Sequence, residues 1–341
     1  MIRVLVVEDS LVFQKLLVDN LNKDPTIEVV ATAKDPYEAR DKIIEYKPDV
    51  MTLDIELPRM SGLEFLRKLM PQYPIPVIVI SALSDKVFDA IHAGAVDFVA
   101  KPISNTAKSI QEFVQQELPG KIKIAANARL PGRRRNLPSR EIGELKSSSN
   151  QNLLLAIGAS TGGTEAIAEV LKGFDTNIPG IVIVQHMPEG FTKMYANRLN
   201  QQCRIEVKEA KTGDVVAQGT ALLAPGGDAH MEVVKVNGQY QVVVKKGPKV
   251  NGHRPSVDVL FHSVANVAGK NALGIILTGM GGDGAKGLLA MRQAGAKTIG
   301  QDASSCVVYG MPRVAYELGA VECQEKLENI ARKTYQVLKN M

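Results

Sequence analysis

Short apolar runs alternate with amphipathic stretches along two long sections of the chain, and a polar section without periodicity separates them. In the first section the runs are IRVLVV (2–7), IEVVATA (27–33), DVMTLDI (49–55), PVIVIS (76–81) and VDFVAK (96–101). They are short and rich in β-branched residues, which predicts buried strands. Helical spacing fills the intervals near 10–22, 36–46, 61–69, 84–93 and 104–117. Five β-α repeats predict a parallel (βα)5 doubly wound sheet, because each crossover helix returns the chain in the same direction. In the second section NLLLAIGAS (152–160), GIVIVQHMP (180–188), ALGIILTGMGGDGA (272–285) and KTIGQD (297–302) carry strands. Helices follow at 164–172, 190–202 and 285–294, with others at 257–268 and 325–339. HMEVVKVNGQYQVVVKK (230–246) predicts a β-hairpin turning at Asn237-Gly238. The expectation is a second α/β domain of Rossmann-like kind, mostly parallel, with an antiparallel hairpin edge.

Length agrees with two domains, since 341 residues exceed the roughly 150-residue soft prior for one. The expected division is a first domain over 1–120, a basic flexible linker over 121–150 and a second domain over 151–341. Charge supports it. Residues 1–120 carry 13 Lys/Arg against 18 Asp/Glu, residues 121–149 carry 8 against 2, and residues 150–341 carry 20 against 16. The net charge of +5 is therefore largely a property of the linker. Arg133, Arg134 and Arg135 there could touch nucleic acid, but so short a basic run in a Pro, Gly and Ser-rich stretch reads as a solvated tether. Of 29 glycines, 24 lie in 151–341, where tight turns at strand ends would build a site. No apolar run approaches the roughly 18 residues of a membrane span. The opening MIRVLVVEDS ends its apolar run in acids, unlike a signal peptide. Three cysteines, Cys203, Cys306 and Cys323, show no metal spacing and read as reduced thiols in a cytoplasm.

Sites in doubly wound sheets form at the carboxyl ends of the strands. In the first domain those ends hold Glu8 and Asp9, Asp54, Ser81, and Lys101 followed by Pro102. Carboxylates crowded on one edge repel unless a cation sits among them, and a hard divalent ion such as Mg²⁺ suits oxygen ligands. A carboxylate beside such an ion, a lysine and a hydroxyl is equipped to accept a phosphoryl group. E-D-S, the isolated Asp54, S-A and K-P at these positions resemble the receiver domain of two-component response regulators. The resemblance implies that Asp54 is the phosphoacceptor. It implies that Asp9, Asp54 and the backbone carbonyl of Glu56 hold Mg²⁺ with Glu8 assisting. Ser81 and Lys101 would contact the phosphoryl group, and Phe98 stands where the switch aromatic lies. Glu8 departs mildly from the pattern, since Asp is common there.

In the second domain three strand ends carry reactive side chains, Ser160, His186 and Asp283. A serine needs a base to become nucleophilic, and a histidine needs a carboxylate to fix its tautomer. Each has a plainer role open to it: Ser160 and Asp283 as helix caps, His186 as a core-edge histidine. Their joint placement favours a triad, with the Met280 N–H as one oxyanion donor. Gly158-Ala159-Ser160-Thr161-Gly162 also satisfies G-x-S-x-G, but the α/β-hydrolase order of serine, acid, histidine is not followed. Asp228 with His253 and Asp258 with His262 are other pairings, away from clear parallel strand ends. A dinucleotide site fits poorly, because Ser160 stands where G-x-G-x-x-G needs its second glycine.

GASTGG, VQHMP, APGG, HM, RPSVDVLF, LTGMGGDGAKGL and QD…CVVYGMP, following a receiver domain, resemble the chemotaxis protein-glutamate methylesterases of the CheB family. The resemblance implies a phosphorylation-activated serine hydrolase with Ser160 as nucleophile, His186 as general base and acid, and Asp283 as orienting carboxylate. Thr161 would steady the histidine and the Met280 N–H would hold the oxyanion. The implied substrate is a glutamyl γ-methyl ester, or a particular glutamine, on methyl-accepting chemoreceptors, giving sensory adaptation. A chemotaxis histidine kinase would be the phosphodonor. The unphosphorylated receiver would cover the active-site mouth. No cofactor is expected in the hydrolase site, no nucleic-acid partner and no membrane insertion. The main rival is a response regulator whose second domain only binds a partner.

Overall fold

The computed structural model describes residues 1–82, 84–102, 113–130 and 152–341. The chain divides into two compact units, Met1–Arg135 and Asn136–Met341.

The first unit carries five strands, β1 (Ile2–Val7), β2 (Ile27–Ala33), β3 (Val50–Asp54), β4 (Val77–Ser81) and β5 (Asp97–Ala100). They pair in parallel in the order β2-β1-β3-β4-β5. Helices α1 (Leu11–Leu21), α2 (Pro36–Tyr46), α3 (Gly62–Leu69) and α4 (Lys86–His92) connect them. Ser10, Asp35 and Ser61 cap the first three, each side chain accepting backbone N–H bonds in the first turn. The three central strands are buried on both faces, which is why they read as continuous apolar runs rather than alternating ones. Sequence order reverses between β1 and β3, and this is the crevice where a doubly wound sheet places its site.

The expected linker start at 121 is corrected. A π-helical turn at Phe113–Glu117 runs into α5 (Leu118–Ala125), with Leu118, Ile122 and Ala125 fully buried. Burial of that apolar stripe overrides the basic composition of the segment. Lys121 pairs with Asp97 at 2.9 Å and Lys123 with Asp24 at 2.6 Å, so part of the charge assigned to a tether belongs to the folded domain. Residues 104–112 of the helix expected over 104–117 and the Arg133–Arg135 cluster lie outside the described residues.

The second unit is built on seven parallel strands. They are β6 (Leu154–Ala159), β7 (Gly180–Gln185), β8 (Glu206–Glu209), β9 (Thr220–Leu223), β12 (Ala272–Ile276), β13 (Lys297–Gln301) and β14 (Cys323–Glu325). Their order is β14-β13-β12-β6-β7-β9-β8. The chain leaves β6 toward β7 and later returns to β12 on the other side of β6, so the crevice lies at the carboxyl ends of β6 and β12. Helices α6 (Gly163–Lys172), α7 (Phe191–Gln202), α8 (Val257–Ala268), α9 (Ala285–Gln293), α10 (Met311–Glu317) and α11 (Leu327–Leu338) complete the unit.

The hairpin, β10 (Ala229–Val236) with β11 (Gln239–Lys246), forms where expected but not as an edge of this sheet. It is a separate two-stranded sheet packed on α8, sharing a core through Met231, Val233, Val242, Leu260 and Phe261. A two-stranded ribbon gains its stability from such a helix. Strands β8, β9 and β14 were not anticipated, since three or four residues give no readable period.

Candidate active site and acidic pocket

The register of β6 against β7 ends at Ala159 opposite Gln185, which sets Ser160 beside His186 one step later. The His186 N–H donates to the Ala159 carbonyl at 3.2 Å. The Gln185 amide donates to the carbonyls of Ser160 at 2.9 Å and His186 at 3.2 Å, tying the two strand ends together. The Ser160 N–H donates to the Thr278 carbonyl at 3.0 Å, just beyond β12. The chain then turns sharply into α6 through Gly162, whose φ of +76° is strained for any other residue. Helix α6 is capped by this glycine's backbone position, so Ser160 is free of the capping role that its type also suits.

His186 Nε2 lies 2.8 Å from Asp283 Oδ2, and the two side chains are 8% and 1% exposed. A hydrogen bond from Nε2–H to the carboxylate leaves Nδ1 as the basic nitrogen. Nδ1 is buried and has no hydrogen-bond partner among the described residues. Asp283 accepts four further donors: Asn251 Nδ2 at 2.8 Å, Ser256 Oγ at 2.7 Å, Val257 N–H at 2.7 Å and Asp258 N–H at 3.3 Å. Burial alone would raise its pKa, but the contacts with His186, Asn251 and Ser256 outweigh that and hold the carboxyl well below the usual carboxylate range. The acid therefore sits at the N-terminus of α8, not on the helix that follows it in sequence.

Met280 exposes its side chain, while its N–H donates to nothing among the described residues. The loop is held on either side, because Gly310 and Met311 N–H both donate to the Gly279 carbonyl at 3.1 and 2.8 Å. A Cβ on Gly279 would fall 2.7 Å from Ser160 Cβ and 2.4 Å from Met311 Sδ. Gly279→Ala is accordingly expected to displace Ser160 and lower kcat, with overpacking that costs about 1–3 kcal/mol. Steady-state kinetics beside a thermal melt checks it, and wild-type values in both would contradict the close approach. Thr161 is buried, and its carbonyl accepts the Thr278 hydroxyl at 3.0 Å.

The rival pairings do not assemble. Asp228 pairs with Lys246 at 2.7 Å on the surface. His262 Nδ1 meets the backbone carbonyl of Asp258, whose carboxylate accepts the Gly287 N–H and the Asn251 amide. His253 instead stacks on His186, with ring centroids 3.7 Å apart and planes 6° from parallel. Sequence reasoning missed this and missed Asn251 and Ser256. The Asn-Gly dipeptide at 251–252 and the Ser before a helical run were the available signals. Arg254 donates to the Gly227 and Gly247 carbonyls at 2.7 and 2.8 Å.

In the first unit, carboxylate oxygens of Glu8, Asp9 and Asp54 lie within 4.8 Å of one another at the ends of β1 and β3. Lys101 Nζ contacts Asp54 Oδ2 at 2.6 Å and Glu8 Oε2 at 3.0 Å. Burial, and then the Asp54 charge, push the Glu8 carboxyl up to about 7 despite Lys101. One ammonium does not neutralise three acids, two of them buried, so the donor set fits a hard divalent cation. The Glu56 N–H donates to Asp54 Oδ1 at 3.1 Å. Ser81 is buried at the end of β4, and its carbonyl accepts the Lys101 N–H at 2.7 Å. Phe98 is buried in β5 with its ring edge-on to Phe88.

Known proteins agree with both halves. Residues 155–334 match the CheB methylesterase family, and residues 4–112 match the response regulator receiver domain. A protein-glutamate methylesterase/protein-glutamine glutaminase 2 of Syntrophomonas wolfei is 58% identical over 340 residues, covering 100% of this chain and 98% of the relative. The protein-glutamate methylesterase/protein-glutamine glutaminase of Salmonella typhi is 47% identical over 338 residues, covering 97% and 95%. The crystal structure of the Thermotoga maritima CheB methylesterase catalytic domain is 36% identical, spans 55% of this chain and 98% of its own, and superposes with a TM-score of 0.53. The chain therefore belongs to the CheB methylesterase family, with a receiver domain preceding the methylesterase domain.

Proposed function

We propose that this chain is a phosphorylation-activated serine hydrolase that cleaves glutamyl γ-methyl esters and deamidates particular glutamines on methyl-accepting chemoreceptors, giving sensory adaptation in chemotaxis. The observation that carries the reading is a histidine bonded to a buried carboxylate, one strand step from a serine at the end of the neighbouring strand, at the crevice of a doubly wound sheet. The names of the full-length relatives supply the substrate class.

In this reading His186 Nδ1 takes the Ser160 proton as Oγ attacks the ester carbonyl. Asp283 holds the ring tautomer and stabilises the imidazolium. The Met280 N–H donates to the oxygen that becomes negative, and Thr161, next to the nucleophile, steadies the histidine. His186 returns the proton to the departing methanol, and water then releases glutamate from the acyl-enzyme by the same route. An amide passes through a similar tetrahedral oxyanion, with ammonia leaving, so one site serves both reactions.

Asp54 is the proposed phosphoacceptor, with a chemotaxis histidine kinase as donor. Asp9, Asp54, the Glu56 carbonyl and Glu8 would hold Mg²⁺, which offsets the negative charge brought together during phosphoryl transfer. Lys101 already rests on Asp54, and with Ser81 it would follow the new phosphate oxygens, coupling the event to Phe98 on β5. No described helix is long and apolar enough to cross a membrane, in keeping with a cytoplasmic enzyme acting on the inner parts of receptors.

The test is methanol release from methylated receptor membranes, with and without a small phosphodonor and Mg²⁺. Asp54→Asn should abolish the phosphodonor-dependent rise. A rise retained in that variant would remove Asp54 from the role. Steeply salt-dependent DNA binding without ester cleavage would instead favour a binding module.

A further inference from the structure

Residues Val250–His253 form a two-residue hairpin turn, with the Val250 N–H donating to the His253 carbonyl at 3.0 Å and the His253 N–H to the Val250 carbonyl at 2.9 Å. Asn251 and Gly252 have φ of +51° and +81°, as a type I′ turn requires. This one turn sends two side chains onto the proposed triad from the same side of the sequence. The Asn251 amide bridges Asp283 Oδ1 at 2.8 Å and the buried Asp258 Oδ2 at 2.7 Å. The His253 ring covers a face of His186 at 3.7 Å. Ser256 and Val257, a few residues on, complete the grip on Asp283, and Ser256 N–H is itself fixed on His230 Nδ1 at 3.1 Å.

We propose that the Val250–His253 turn is the positioning element of the triad: Asn251 aims the carboxylate, and His253 confines the base. The inference rests on the triad reading above. Physically, the bond from Nε2 to Asp283 leaves the imidazole one soft motion, a swing of the ring about that bond that moves Nδ1. A parallel ring in contact with one face blocks that swing. Asn251 acts on the other partner. It donates to both Asp283 and Asp258, so the oxygen that receives Ser256 and Asn251 stays turned away from the histidine, and Oδ2 stays turned toward it. Both are positioning residues: neither needs to touch substrate, and each acts through a triad member.

The experiment uses the full-length chain and methanol release from methylated receptor membranes, with Ser160→Ala as reference and a thermal melt of every variant. His253→Ala is expected to lower kcat about tenfold with KM nearly unchanged, a loss in the range that sub-ångström misplacement of a reacting group produces. His253→Phe, which restores an aromatic face without a titrating nitrogen, should recover most of that loss, whereas His253→Leu should not. Asn251→Ala should also act on kcat. The double variant should lose less than the product of the single losses, because both residues steer one His186–Asp283 pair. Gly252→Ala touches neither contact, since a Cβ there meets nothing within 4 Å, yet it strains the turn and should reproduce the kcat loss. Wild-type kcat in His253→Ala and Asn251→Ala, an effect confined to KM, or a loss equal in the Ala and Phe variants and matched by a lower melting temperature would overturn the proposal. Turnover surviving in Ser160→Ala would overturn the triad itself, a different result from a silent turn.

Discussion

Ser160→Ala should reduce ester and amide cleavage by about 10⁴-fold or more, since losing a nucleophile leaves only binding and oxyanion stabilisation. Stability should hardly change. The bonds Ser160 makes to its surroundings are backbone ones: its N–H to Thr278, and its carbonyl to the Gln185 amide and the Gly163 N–H. Alanine keeps all of them. Its hydroxyl caps no helix, because the cap position before α6 is Gly162. A protein with wild-type melting behaviour and no methanol release is the expected outcome. Measurable multiple turnover would mean that another group attacks the ester.

Asp283→Asn should behave differently, with both activity and stability falling. The two carboxylate oxygens together accept five donors, and every one of them points a hydrogen at the acid. An amide turns one of those oxygens into a donor. If its NH₂ faces His186 and the Val257 N–H, the ring is driven to the other tautomer and Nδ1 carries the proton it should accept. If it faces Ser256 and Asn251, the cap of α8 is broken instead. The first arrangement costs about 10⁴-fold in kcat by the tautomer argument. Either leaves a buried donor unpaired, a penalty of about 1–3 kcal/mol. Combined kinetics and denaturant unfolding would read both effects. Wild-type stability in Asp283→Asn would show that the five-donor cage does not hold the domain together.

The strands of the first unit were legible because each is a short run rich in β-branched residues, the three central ones buried on two faces, and the acids stood out as polar residues where those runs stop. The three members of the proposed triad were legible in a similar way, being reactive side chains at the ends of β6 and β7 and in the glycine-rich loop that follows β12. The linker was misjudged at one end, because composition near Lys121 speaks of charge while burial of Leu118, Ile122 and Ala125 decides structure. The hairpin was found but misplaced: Asn237-Gly238 specifies a turn, and nothing local says which surface the ribbon will cover.

Asn251, His253 and Ser256 show the boundary most clearly. They lie roughly thirty residues before Asp283 and well beyond His186, in a stretch whose own pattern specifies only a turn and a helix start. By itself, the sequence determined the local periods, the turns and the residue types available at strand ends, since these follow from propensity and spacing within a few residues. The tertiary structure alone decided that the start of α8 would meet Asp283 and that a second imidazole would lie flat on His186. Such contacts depend on how separate elements cross, and crossing is set by the packing of the whole core rather than by any one segment.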